Sequence, residues 1–269
     1  MKKVLSFTML FAMAVTVRAQ MEPIEATNSV GFAAINAVAG ASTIIAVPFE
    51  ACLDGGAGML ADLVATNGLT SHASDPALAD QLVVLTNGVT MVYCYYYFQT
   101  GTGWQPVTTS LILPGGAIQE LDPPSADAFP VSRGHGFWIK RVAGEQNTVY
   151  VKGQVPEGLQ STPIAEGLNL VGVGSGEEVT LNGSGINWTG AYGGTGNTLS
   201  SDKIIVCNSN GTFSRYYFYN PAVPEFPALA GKWVTSGGAV ANVTINPGQG
   251  FWYLRQSGQS GFSFQPDAE

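Results

Sequence analysis

Two nine-residue stretches, RGHGFWIKR (Arg133 to Arg141) and PGQGFWYLR (Pro247 to Arg255), say nearly the same thing in the two halves of the chain. They do not stand alone. Upstream, STIIAVPFE (Ser42 to Glu50) is echoed by GLNLVGVGS (Gly167 to Ser175). VVLTNG followed by VYCYYYF (Val92 to Phe98) is echoed by IIVCNSNG followed by RYYFYN (Arg215 to Asn220). A tryptophan after a glycine turn comes next in each half, Trp104 and then Trp233. Each GFW element is followed by a short alternating stretch, TVYVKGQV (Thr148 to Val155) and GFSFQP (Gly261 to Pro266). Landmarks recurring in one order are the signature of a structural unit used twice. The chain is therefore expected to hold two tandem homologous domains, 20–156 and 157–269, joined near PEGLQSTP (Pro156 to Pro163). The Pro, Gly and Ser content there suits a linker or tight crossover.

Within each unit the apolar runs are brief and separated by Gly, Asn and Pro. With 34 glycines and 15 prolines the chain favours turns and strands over helices. The expected class is all-β, two β-sandwich or barrel-like domains with one short helix in the first. NSVGFAAINAV reads as an opening strand alternating Val30, Phe32 and Ala34, and TIIAVPF as a central strand ended by Pro48. GMLADLVATNGL (Gly58 to Leu69) carries Met59, Leu60, Leu63 and Val64 at helical spacing, and PALADQLVVL (Pro76 to Leu85) predicts a further helical turn. The second unit replaces the helix with EEVTLNGSGINWTGAYGGTGNTLSS, a polar loop expected to be mobile or pressed against something.

The first nineteen residues read as a secretory signal peptide: a basic MKK, an apolar VLSFTMLFAMAV and small residues in Val17-Arg18-Ala19. Its removal takes Lys2, Lys3 and Arg18 and no acid, leaving eight Lys and Arg against nineteen Asp and Glu, a net charge of −11. A secreted or cell-surface location follows as the expectation, with no membrane insertion after cleavage. Such acidity argues against nucleic acid and anionic membranes as partners. The cysteines, Cys52, Cys94 and Cys207, are too few for a disulfide scaffold. They read as buried thiols, with a Cys52–Cys94 bridge as the alternative.

The combination of VGF at 30–32, AGASTIIAVPF at 39–49, LADLV at 60–64, Trp104 and GHGFW at 134–138 resembles an uncharacterised β-module of exported bacterial proteins. NLVGV at 169–173, Trp233 and GQGFW at 248–252 repeat the pattern, without the proline and without the helix. The resemblance covers nearly the whole chain after residue 19. It implies an exported β-protein and no active site.

The residues bear out no catalytic pattern either. The two histidines, His72 and His135, lie in a polar loop and a Gly turn, without spaced Cys, His or carboxylate partners. Glu120 with Asp122, and Glu177 with Glu178, sit in Pro/Gly loops and read as solvated surface. LDGGAG (Leu53 to Gly58) lacks the alternating ligands of a calcium loop. No cofactor or metal is assigned. Asn182, Asn187, Asn210 and Asn242 begin N-x-S/T sequons. The glycines of GxGFW are expected to permit positive φ, with Phe137 and Ile139 inward and Trp138 and Lys140 facing away.

What remains is an excess of aromatic surface. Strand alternation puts Tyr93, Tyr95 and Tyr97 on one side of VYCYYYF, and Tyr217 and Tyr219 on one side of its echo. Each ribbon needs its own core and a second cover: the sister unit, a loop, or a neighbouring molecule. Tyrosine suits the last case. The chain is thus expected to be a non-catalytic structural subunit that self-associates into a filament, sheath or surface layer, with these tyrosines at the interface. The alternative is a carbohydrate-binding protein whose Trp104, Trp138, Trp233 or Trp252 stack on glycans, against the simpler reading of those rings as packing residues.

Overall fold

The structure, a computed structural model, describes residues 30–37, 39–40, 42–49, 58–65, 68–86, 92–112, 116–142, 148–154, 161–174, 177–183, 186–194, 198–208, 212–220 and 226–264. Residues 1–29, Cys52, Asn210 and most of the PEGLQSTP joint lie outside them, as do the side chains of Tyr93 and Cys94.

The chain is all-β. Its first strands are β1 (Val30–Asn36), β2 (Ser42–Ala46), β3 (Gly58–Met59), β4 (Gln81–Thr86), β5 (Val92–Gln99) and β6 (Gly103–Val107). Then come β7 (Thr109–Ile112), β8 (Ile118–Leu121), β9 (Pro130–Val131), β10 (Gly136–Lys140) and β11 (Thr148–Gln154). Continuing, β12 (Thr162–Ile164), β13 (Gly167–Gly172), β14 (Val179–Thr180), β15 (Lys203–Cys207) and β16 (Phe213–Phe218) precede β17 (Trp233–Val234), β18 (Thr244–Ile245), β19 (Gly250–Arg255) and β20 (Phe262–Phe264).

Two five-stranded antiparallel sheets dominate, in the orders β2-β10-β4-β5-β6 and β13-β19-β15-β16-β17. The two orders correspond strand for strand. Two-stranded pairs match as well: β1 with β11 answers β12 with β20, and β3 with β9 answers β14 with β18. Among the described residues only the β7–β8 pair has no counterpart in the second half.

Alternation decides which side chains enter each core. In β4, Leu82 and Val84 face inward. Opposite them, Phe137 and Ile139 of β10 and Tyr96 of β5 join the same cluster. The second half builds its core from Ile204, Val206, Phe251, Tyr253 and Phe218 in the corresponding strands. Cross-strand pairs set the far edge of each sheet. Phe98 lies opposite Trp104 and Phe218 opposite Trp233, with ring centroids 5.2 Å apart in both. Of these rings Trp104, Phe218 and Trp233 are buried and Phe98 is half-buried, and full burial of a phenylalanine side chain contributes about 1.5–3 kcal/mol.

The helix is shorter than its spacing suggests. It spans Leu60–Leu63 alone, with Gly58–Met59 in β3 and Val64 bridging Val151. Backbone pairing on both flanks takes the hydrogen-bonding groups that a longer helix needs. Pro76–Leu78 forms the further turn as a single 3₁₀ turn, with Asp75 Oδ1 accepting from the Ala77 N–H at 2.9 Å. In β1 the strand is as expected, but its face is reversed. Ala33 and Ile35 are buried, whereas Phe32 is 61 % exposed. The backbone of Gly248 crowds that inner face: a Cβ there would lie 2.9 Å from Ile35 Cδ1 and 3.0 Å from Ala33 Cβ. A phenylalanine has no room at such a contact.

The polar loop of the second half is pressed inward. Trp188 stands in the second core, its ring centroid 5.1 Å from Trp233 and 4.8 Å from Phe264, and its Nε1 donates to Leu181 O at 2.8 Å. One indole thus helps close the second core, as Leu60 and Leu63 of the helix help close the first.

Among the described residues, an ion pair is buried at the same place in each half. Asp80, just before β4, meets Arg141, just after β10, at 2.7 Å, and both are fully buried. Asp202, just before β15, meets Arg255 at the end of β19 at 2.5 Å. The surroundings repeat. Asp80 accepts from the Thr70 and Val142 N–H groups, and Asp202 from those of Tyr192 and Gln256, all at 2.9 Å.

Candidate functional site

The strongest concentration of unusual geometry lies where the two sheets meet. Ile44, Leu85, Leu170 and Trp252 form a buried cluster, with Trp138, Leu168, Ile205 and Cys207 packed against it. These side chains come from the sheet faces turned away from the two cores. Ile44, Trp138, Val83 and Tyr95 are directly opposite one another in a row across the first sheet. Leu170, Trp252, Ile205 and Arg215 make the corresponding row in the second. The rings of Trp138 and Trp252 lie 6.1 Å apart, tilted by 54°, at the meeting point.

Backbone contacts across this seam come in reciprocal pairs. Ala46 N–H donates to Gly248 O at 2.8 Å, and Gly172 N–H donates to Gly134 O at 3.0 Å. Ile45 bridges Gln249 and His135 bridges Val171. This is the pattern of an isologous interface, formed here inside one chain.

The seam explains both glycines of GxGFW. The first, Gly134 or Gly248, has φ of 78° or 76°, the positive value expected of it. The second, Gly136 or Gly250, serves close approach. A Cβ on Gly136 would lie 2.7 Å from the backbone of Leu170 and Val171, and one on Gly250 would lie 2.5 Å from Ile44 Cγ2. The sequence shows that glycine is used there, but not that another sheet lies against it.

The aromatic ribbons turn the same sheet face that carries the seam. Tyr95 lies in the row that holds Ile44 and Trp138, and Tyr97 in the next row of the same face. Tyr95, Tyr97, Tyr217 and Tyr219 are each half-buried within a single chain. Of the three covers expected for these ribbons, the sister unit, a loop or a neighbouring molecule, the first lies against the same sheet face. Tyr93 belongs to β5, but its side chain lies outside the described residues.

The glycan candidates are placed mostly inside. Trp104, Trp233 and Trp252 are buried, with at most 7 % of their surface exposed, which leaves no ring face for a sugar. Trp138 is half-buried and shares its surroundings with Trp252 and Phe213. Trp104, Trp233 and Trp252 are packing residues. Repetition of two matched pairs fits the general rule that packing constraints travel with a fold.

Other titratable groups are scattered. His72 Nδ1 accepts from Asp75 N–H at 2.9 Å in an exposed loop. Asp122 accepts from the Thr108 hydroxyl at 2.6 Å, and Glu120 is exposed on β8. Among the described residues no three His, Cys, Asp or Glu side chains are grouped to hold a metal ion. Cys207 carries a free thiol at the seam, 3.9 Å from Ser42 O, and burial pushes its pKa up. No described helix is long and apolar enough to cross a membrane.

His135 supplies a test of the seam. Burial pushes its imidazole below the ordinary value, partly offset by a hydrogen bond with the Leu85 backbone. The folded protein therefore disfavours the protonated ring, and the unfolded chain takes up the proton first. This contribution is complete above about pH 6.5, the ordinary histidine value, and is lost as pH falls through it towards the folded pKa. The melting temperature is expected to fall between roughly pH 7.5 and 5.5. His135→Gln, which installs the residue found at the matching position 249, is expected to flatten that fall when thermal unfolding is followed across the same range.

No family model matches the chain, no curated protein is similar to it, and no solved structure resembles it.

Proposed function

We propose that this chain is an exported, non-catalytic structural subunit that assembles with copies of itself outside the cell. The observation that carries this reading is the ribbon formed by β7 and β8. Its strands pair with each other from Thr109↔Leu121 to Ile112↔Ile118 and, among the described residues, with no other strand. Ile118 is 69 % exposed, and Gln119 and Glu120 beside it are exposed too. A lone two-stranded ribbon is marginally stable in water. Its open edges are templates for a further strand. A second copy that adds a strand there supplies main-chain hydrogen bonds and a cover for Ile118 by β-augmentation.

Two features support this choice. Among the described residues the ribbon has no counterpart in the second half, and it pairs with neither five-stranded sheet. A second apolar patch lies on the outer face of β1 and β11, where Phe32 and Tyr150 are exposed. A contact from one such patch to a different patch on the next molecule is heterologous, and heterologous contacts that do not close generate filaments.

Size-exclusion chromatography with light scattering, followed by negative-stain microscopy, tests the reading on the chain lacking residues 1–19. Ordered assemblies are expected. Ile118→Lys combined with Gln119→Pro is expected to reduce them to monomer with an unchanged circular dichroism spectrum. A wild-type protein that stays monomeric as its concentration rises overturns the proposal.

A further inference from the structure

Two departures from the duplicated pattern complement each other. In the first sheet β6 runs beside β5 from Tyr95 to Gln99, with Val107 opposite Tyr95 and Pro106 opposite Tyr96. In the second, β17 reaches only Tyr217 and Phe218 of β16. Gln81 opposite Tyr97 corresponds to Lys203 opposite Tyr217, so the rows of Tyr95 and Tyr96 correspond to those of Arg215 and Tyr216. There the chain turns back instead: Gly238 N–H donates to Thr235 O at 3.0 Å, and Val240 bridges Val234. The outer edge of β16 from Phe213 to Tyr216 is thus paired with no strand among the described residues. The first half, in turn, holds the extra β7–β8 ribbon. One half has an edge to fill, and the other has a strand to lend.

The side chains match as well as the backbones. Alternation puts Phe213 and Arg215 on one face of β16, both exposed. It puts Ile118 and Glu120 on one face of β8, both exposed. Each edge therefore offers an apolar side chain and, two residues on, a charge, and the two charges are opposite.

The surroundings carry the same signs. The five strands of the second sheet contain no Asp or Glu, and Lys203 shares the face of Arg215. This holds in a chain whose net charge beyond residue 19 is −11. From Thr109 to Asp122 there is no Lys or Arg. Apolar and opposite-charge pairs on neighbouring strands stabilise a sheet. The outer face of β1 and β11 is a poorer match. Its cation, Lys152, lies on β11 opposite Phe32, and β1 itself has no charged residue.

We propose that the β7–β8 ribbon of one copy docks on the open edge of β16 in the next. Ile118 to Glu120 run parallel to Phe213 to Arg215, with Ile118 beside Phe213 and Glu120 paired to Arg215. This rests on the self-assembly reading and names the surface that receives the ribbon. The lending and receiving edges are different surfaces, so each added copy presents a fresh ribbon to the next.

Light scattering over a concentration series, on the chain lacking residues 1–19, tests it with the charges exchanged. Glu120→Arg and Arg215→Glu are each expected to raise the concentration at which assemblies appear at least about tenfold, with unchanged circular dichroism. Mixed one to one, the two variants are expected to assemble at the wild-type concentration, because each then finds its complement in the other. Should a reversal unfold, Glu120→Gln and Arg215→Gln carry the test, each expected to raise that concentration about two- to fivefold. Folded variants that assemble like wild type on their own, or folded reversals that do not recover when mixed, overturn this proposal and leave self-assembly standing. A wild-type protein that stays monomeric overturns both.

Discussion

Asp202→Ala is expected to destabilise the protein by about 3–5 kcal/mol, the cost of leaving one partner of a buried ion pair alone. Asp202 is fully buried and Arg255 is 5 % exposed. The carboxylate also accepts from the Tyr253 hydroxyl at 2.7 Å and from the backbone N–H groups of Tyr192 and Gln256. Burial and the adjacent Asp202 charge push the Tyr253 phenol up, so it stays protonated and serves as a donor. Alanine removes every acceptor at once. Arg255 keeps bonds to Gly190 O and Ser260 O, but these carbonyls carry no compensating charge. Asp80→Ala is expected to act in the same sense, because it strips the buried Arg141 of its carboxylate in an equally dry place. Urea unfolding measures both. Joint replacement, Asp202→Leu with Arg255→Met, is expected to recover much of the loss, since apolar pairs of similar volume often substitute for buried ion pairs. If the single and joint replacements cost the same, the charge is not what holds the site.

Gly250→Val is the second large effect expected, at about 1–3 kcal/mol or more for overpacking a filled interface. Its Cβ would meet the Ile45 carbonyl oxygen at 2.8 Å, a backbone atom that cannot turn aside like a flexible side chain. The two sheets are expected to part rather than either core to unfold. Cys207 reports the difference, because its thiol is half-buried at this seam. Thiol labelling in native buffer is expected to accelerate in Gly250→Val, and the added labelling to vanish in Gly250→Val with Cys207→Ser. Labelling at the wild-type rate shows that the seam absorbs the added methyls without opening.

Much of this architecture was legible in the residues. The GFW echo located β10 and β19, both at the centre of their face-to-face contact, and the aromatic runs located β5 and β16. Periodicity failed where tertiary contact chose between two acceptable faces. In β1 both parities carry apolar residues, and the one that enters the first core, with Ala33 and Ile35, is also the one that Gly248 approaches closely. The ion pairs had a visible signal: Asp80 and Asp202 immediately precede QLVV and KIIV, and Arg141 and Arg255 end the repeated GFW stretches. An aspartate at a strand start reads first as a turn residue, which hides its partner. Trp188 was missed for a similar reason, since an indole inside a Gly, Asn and Ser-rich loop does not advertise that the loop folds inward. The tyrosine ribbons revealed two greasy faces, and a single sequence carries no record of which surface covers the second.

Each side of the sheet-to-sheet contact offers the same backbone donors and acceptors, so its geometry is one that two molecules could share as well as one. Only the shortness of the tether between Gln154 and Thr162 favours the self-contained form. Such a tether sets an effective concentration in the millimolar range. Below it, halves stay with their own chain; where the protein is crowded above it, exchange of halves between neighbours becomes a route to linked chains that needs no new surface.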